Sequence, residues 1–109
     1  PGLESHKEYK LGKELMNGKT SSVLSFGIKG GMKKGGVFID NLQLITRLVN
    51  IGDAKSLACH PASTTHRQLS KKELKMAGVP EDLVRLSIGL ENIDDILDDL
   101  DKALKASQK

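Results

Sequence analysis

The chain carries a single cysteine, Cys59, no tryptophan, and only three aromatic residues, Tyr9, Phe26 and Phe38. One cysteine excludes an internal disulfide framework and fits a reducing compartment, so a cytoplasmic location is expected. So few aromatics leave no stacking platform for single-stranded nucleic acid. No apolar run approaches the roughly 20 residues of a membrane span, and no charged-then-apolar leader is visible from Pro1 onward. A start without methionine fits ordinary processing and equally a piece of something longer. Charge of one sign is also scarce. The 17 basic and 14 acidic residues leave +3, too mild an excess for a nucleic-acid or membrane partner. What remains is a chain of 109 residues, 38% of them apolar, the size and composition of one globular domain.

The charges are unevenly placed. Residues 1–36 hold seven lysines against three glutamates, whereas residues 91–101 hold six acids and no base. A metal or partner site and a solvated helix face both fit the acidic run, and periodicity favours the face. Ile93, Ile96, Leu97, Leu100 and Leu104 recur at steps of three and four, which predicts an apolar stripe with the acids on the opposite side. Asn92 is a good cap, and Lys102 and Lys105 lie near the end, where the helix dipole favours cations. The glycine-turned loop of a calcium site is absent.

Ser5–Glu8 and Ser70–Glu73 match the S-x-x-E capping box. The first predicts a helix to about Met16, stopping before Asn17-Gly18. The second predicts a short helix closed by Gly78 and Pro80. Phe38, Leu42, Ile45 and Val49 predict a third helix, ending between Asn50 and Gly52. Strands are expected over 22–29, 56–59 and 83–90, and the glycine/lysine patch 29–36 reads as a mobile surface loop. Helices and strands interleave without regular crossover units. The expected class is α+β, a two-layer sandwich with a small, mostly antiparallel sheet and helices on one face.

Three features invite a chemical reading. Gly18-Lys19-Thr20 lacks the glycine five positions ahead that a phosphate-binding loop needs, Lys13 standing there, and a strand rather than a helix is expected after it. Cys59, His60 and His66 suggest a metal, but adjacent Cys59 and His60 on a strand point to opposite faces and no second cysteine exists. Burial is the simpler account of Cys59, and both histidines read as structural. Arg85 is the most informative residue. Alternation over 83–89 places it with Leu83 and Ser87 on one face of an apolar strand, where an arginine needs an anion. An internal Asp or Glu and a bidentate ligand carboxylate both satisfy that need.

The stretch 50–66, NIGDAKSLACHPASTTH, with LVRLSIGLE at 83–91, resembles the C-terminal domain of the Cys/Met-metabolism family of pyridoxal-phosphate-dependent enzymes. The opening PGLESH at 1–6 is similar to a segment in the middle of those longer chains, so the resemblance covers nearly all 109 residues. Within the family the wording is most similar to the O-acetylhomoserine sulfhydrylases. Cystathionine gamma-synthases and methionine gamma-lyases are the alternatives, and a free-standing, non-enzymatic binding module derived from the domain is a further one.

The resemblance implies the C-terminal, substrate-side domain of a fold-type I transferase. The full-length enzyme would be cytoplasmic and homotetrameric, and would act in methionine biosynthesis. It would convert O-acetylhomoserine and sulfide, or methanethiol, into homocysteine or methionine with release of acetate. It also implies that Arg85 clamps the substrate α-carboxylate, that Ser56 contacts the same group, and that Thr65 occupies a motif position without an assigned role. Nothing in 1–109 resembles the Schiff-base lysine, the phosphate cradle or the acid on the pyridine nitrogen. This chain alone is therefore expected to contain no catalytic residue, bind no metal, hold no pyridoxal phosphate and be inactive without its own N-terminal domain.

Overall fold

A computed structural model describes residues 1–109. Helix α1 (Tyr9–Leu15) leads into strand β1 (Val23–Gly27), helix α2 (Gly31–Asp40) and the short strand β2 (Thr46–Arg47). Strand β3 (Leu57–Cys59), a 3₁₀ turn at Pro61–Ser63, helix α3 (Lys71–Met76), strand β4 (Leu83–Ser87) and helix α4 (Ile93–Gln108) follow. The four strands form one sheet in the order β1-β4-β3-β2. β4 runs antiparallel to both neighbours, and β2 pairs parallel with β3 at the edge. This is the α+β, mostly antiparallel arrangement expected, and all three anticipated strands are present.

One face of the sheet is the core. Phe26, Ala58, Val84 and Leu86 pack there with Phe38 and Ile39 of α2, Ile96 and Ala103 of α4, and Ile45. The Phe26 and Phe38 rings meet edge to face with centroids 5.9 Å apart. The register sets Ser25, Arg85 and Cys59 side by side across β1, β4 and β3, on the opposite face.

Four expectations need correction. The patch 29–36 is no loop, because α2 begins inside it. Gly30 and Gly31, at φ 102° and 65°, turn the chain into the helix in a conformation other residues seldom adopt. Gly35 is buried against His60, and a Cβ there would lie 2.7 Å from Nε2 of the ring. The helix expected over Phe38–Val49 instead ends at Asp40. The four- and three-residue spacing of Phe38, Leu42 and Ile45 survives because both the helix and the following turn face the same core. The Ser5–Glu8 box does not form: Glu8 caps α1 without a side-chain bond, and its N–H is taken by Nδ1 of His6 at 3.1 Å.

The fourth correction concerns α4. Its acids do not all face water. Asp99 is buried at 5% exposure, and its carboxylate accepts the backbone N–H groups of Gln43, Leu44 and Ile45 at 2.8, 3.0 and 2.9 Å. The buried line of α4 runs through Ile96, Asp99, Ala103 and Ser107, leaving Ile93, Leu97 and Leu104 exposed. The remaining aspartates lie outside as expected, two of them paired with Lys102 and Lys105 at i, i+4. The Ser70 capping box forms in full, and Asn92 caps α4 by accepting the Asp94 N–H at 2.8 Å.

Candidate functional site

The face of the sheet away from the core carries a groove of about 900 Å3. Its floor is Val23, Ser25, Leu83 and Arg85, and its rim includes His6, Pro61, Thr65 and His66. β4 supplies the arginine by alternation. Val84 and Leu86 are locked into the core on one side, which forces Leu83, Arg85 and Ser87 to the other.

Arg85 has no acidic partner. The ion pairs of the chain are Arg47–Asp40, Lys71–Glu81, Lys102–Asp98 and Lys105–Asp101. Arg85, a half-buried residue, instead donates from Nη2 to the exposed backbone carbonyl of Val49. A carbonyl orients the fork without neutralising it, so the internal Asp or Glu partner is absent and the charge faces the groove.

Thr65 stands on the same groove with His66, and the Thr65 hydroxyl lies 2.8 Å from Nδ1 of His66. Ser56 does not line it. Fully buried, Ser56 donates its N–H to Glu91 Oε2 at 2.7 Å and its hydroxyl to Glu91 Oε1 at 2.9 Å, while Oγ accepts the Gly89 N–H at 2.9 Å. These bonds hold the Glu91 carboxyl below its usual range, the Ser56 N–H being the largest cause. Ser56 therefore already binds a carboxylate, one that belongs to the chain itself. Gly89 permits the approach, since a Cβ there would sit 2.2 Å from the Ala54 carbonyl oxygen.

The remaining candidates are structural. Both His60 ring nitrogens are engaged, Nδ1 with the Ser63 hydroxyl at 2.9 Å and Nε2 with the Glu81 carbonyl at 2.6 Å. A carbonyl only accepts, so the ring proton sits on Nε2. Burial pushes the Cys59 thiol up, against a weaker downward pull from the Arg85 charge, which disfavours a thiolate nucleophile. No three His, Cys, Asp or Glu side chains converge as a metal site would require. Nor do the residues present fit a pyridoxal-phosphate site by themselves. A Schiff-base lysine needs a desolvated pocket, whereas every one of the lysines is exposed or half-exposed. Asp99, Glu91, Ser87 and the Val49 carbonyl were not expected at the sequence level. Acids in an acidic run and a serine in a strand look solvated or neutral until the fold places them.

The sequence pattern of the Cys/Met-metabolism pyridoxal-phosphate-dependent enzymes matches residues 1–105. The chain belongs to that family. This family member is 56% identical over 106 residues to an O-acetyl-L-homoserine sulfhydrylase of Leptospira meyeri, an alignment covering 96% of this chain and 24% of the relative. It is 48% identical over 107 residues to an L-methionine gamma-lyase of Pseudomonas putida, covering 98% of this chain and 27% of the relative. Its fold superposes with a TM-score of 0.89 on a cystathionine gamma-lyase from yeast at 35% identity, covering all of this chain and 28% of that one. It superposes with a TM-score of 0.86 on a structure described as an O-acetylhomoserine (thiol)-lyase of Campylobacter jejuni, crystallised with a pyridoxyl-lysine phosphate. That match has 43% identity and covers 96% of this chain and 25% of that one. The chain thus spans about a quarter of the length of the relatives it matches. No helix is long and apolar enough to cross a membrane.

Proposed function

We propose that residues 1–109 are the C-terminal, substrate-side domain of a longer enzyme that exchanges the acetoxy group of O-acetylhomoserine for sulfide or methanethiol. The products are homocysteine or methionine, with acetate leaving. The observation that carries this reading is Arg85, a half-buried cation on the groove with a carbonyl to orient it and no carboxylate to neutralise it. A free α-carboxylate fits the fork bidentately, and an arginine keeps its charge at any working pH.

Thr65 lines the same groove, which supports a contact with the same ligand. Ser56, which the resemblance pairs with the same carboxylate, stands off the groove with its donors on Glu91. Pyridoxal phosphate, held by the remainder of the enzyme, supplies the electron sink for carbanions at Cα and Cβ. The partners are this chain's own N-terminal domain and three further copies in a tetramer.

A second reading, methionine gamma-lyase, is favoured by the 48% identity to a relative of that name. The two reactions share the carboxylate clamp and differ in the leaving group. Purified full-length enzyme given O-acetylhomoserine and sulfide is expected to release acetate and form homocysteine. Methanethiol release from methionine, without acetate release from O-acetylhomoserine, would replace the first reading with the second.

A further inference from the structure

Arg85 and Ser87 are successive residues on one face of β4, and both reach the same short turn. Nη2 of Arg85 donates to the Val49 carbonyl. Ser87 Oγ accepts the Gly52 N–H at 3.1 Å. Within 49–52 the turn makes no other hydrogen bond to the sheet, and beyond it the Ala54 carbonyl accepts the Leu90 N–H at 2.9 Å. The turn is exposed over 49–55, and Gly52 holds φ 76°. Upstream it is tied to the sheet through Leu48, whose N–H donates to the Ala58 carbonyl at 3.1 Å. Ser87 is only 1% exposed. Its oxygen is therefore a fixed point on the sheet from which the far side of the turn is held.

We propose that Ser87 is a positioning residue for Arg85: by pinning the Gly52 N–H it fixes the turn whose Val49 carbonyl aims the guanidinium into the groove. The physical basis is orientation. An arginine side chain loses rotamer freedom when held, and a carbonyl fixed in advance removes part of that cost from ligand binding. Without the Ser87 acceptor the turn drifts, the Val49 carbonyl with it, and the fork meets a carboxylate from a broader set of directions. The inference rests on the carboxylate role proposed for Arg85.

The test uses full-length, cofactor-loaded enzyme and two ligands without a leaving group, L-alanine and L-alaninamide, which differ in the carboxylate. Affinities are measured by titration calorimetry and read as the alanine-to-alaninamide ratio. Wild-type enzyme is expected to prefer alanine, and Arg85→Ala to abolish the preference. Ser87→Ala is expected to lower the ratio roughly tenfold, the size of one hydrogen bond near a charge, while Ser87→Thr keeps the acceptor and restores it. A merely structural serine would lower the melting temperature or weaken both ligands alike, leaving the ratio unchanged. Should Ser87→Ala not fold, Ser87→Cys, nearly the same size and a weak acceptor, is read the same way. An unchanged ratio in Ser87→Ala or Ser87→Cys, with the preference lost in Arg85→Ala, overturns the inference and leaves the carboxylate reading standing. A preference that survives Arg85→Ala overturns both.

Discussion

Asp99, in the middle of the last helix, accepts the backbone N–H of Ile45 at 2.9 Å, across 54 residues of sequence. The same carboxylate takes Gln43 and Leu44, so one side chain ends what would otherwise continue as a helix after Asp40. It also delivers the chain to β2. Ile45 is buried while Gln43 and Leu44 are exposed, so water can replace the bonds at the latter two but not at Ile45. Asp99→Ala is expected to destabilise the 109-residue chain by about 2–4 kcal/mol, and Asp99→Asn, which keeps an acceptor, by less. Urea unfolding of the three proteins measures both; equal midpoints would remove this role.

Gly89→Ala is expected to be costly for a different reason. The added Cβ would approach the Ala54 carbonyl oxygen at 2.2 Å, and that backbone is held by the Leu90 N–H at 2.9 Å. Neither side can retreat cheaply, so a loss of about 1–3 kcal/mol is expected, the range for overpacking. Thermal melts of the two proteins test it, and an unchanged midpoint would mean the two loops separate freely.

The Ser56–Glu91 pair gives a pH dependence with a definite sign. The Ser56 N–H, and more weakly its hydroxyl, hold the folded Glu91 carboxyl below its ordinary value of 4.5. A depressed carboxylate contributes stability that is fully present above the unfolded value and is lost as pH falls through the folded one. The difference in melting temperature between wild type and Glu91→Gln is therefore expected to be largest near neutral pH and to close as pH drops below 4.5. A difference that is constant from pH 7 to pH 3 would contradict it.

The 109-residue chain by itself is expected to melt cooperatively, to associate through exposed apolar residues such as Leu90 and Leu97, and to retain no pyridoxal phosphate after dialysis. Its core is contiguous, whereas its lysines are surface groups. Stoichiometric cofactor absorbance after dialysis, or acetate release from O-acetylhomoserine, would refute this.

The strands, the Ser70 box and the last helix were legible because each is set by local chemistry: alternation, a reciprocal cap, and a stripe at helical spacing. Arg85 was legible for the same reason, as a charge in an apolar alternating run. The start of α2 was hidden because glycines are poor helix formers, and only the close approach of His60 to Gly35 explains why one is needed there. The turn after Asp40 was hidden because its partner, Asp99, is far away in sequence and sits in a run of acids whose other members are solvated. Ser56 reads in sequence as a residue free to meet a ligand, and only the fold shows its two donors already on Glu91.

The most direct test of the account is the catalytic efficiency of full-length Arg85→Ala and Arg85→Lys with O-acetylhomoserine, measured beside the melting temperature of each cofactor-loaded enzyme. Removing the clamp is expected to lower kcat/KM of Arg85→Ala by about 2–5 kcal/mol, the range for breaking a buried charge contact. Arg85→Lys, which keeps a charge and loses the fork, is expected to fall between it and wild type. Cofactor content and melting temperature are expected to stay near wild type, because no acid in the chain pairs with this arginine. Intact catalytic efficiency in Arg85→Ala, with or without a fall in melting temperature, would contradict the account.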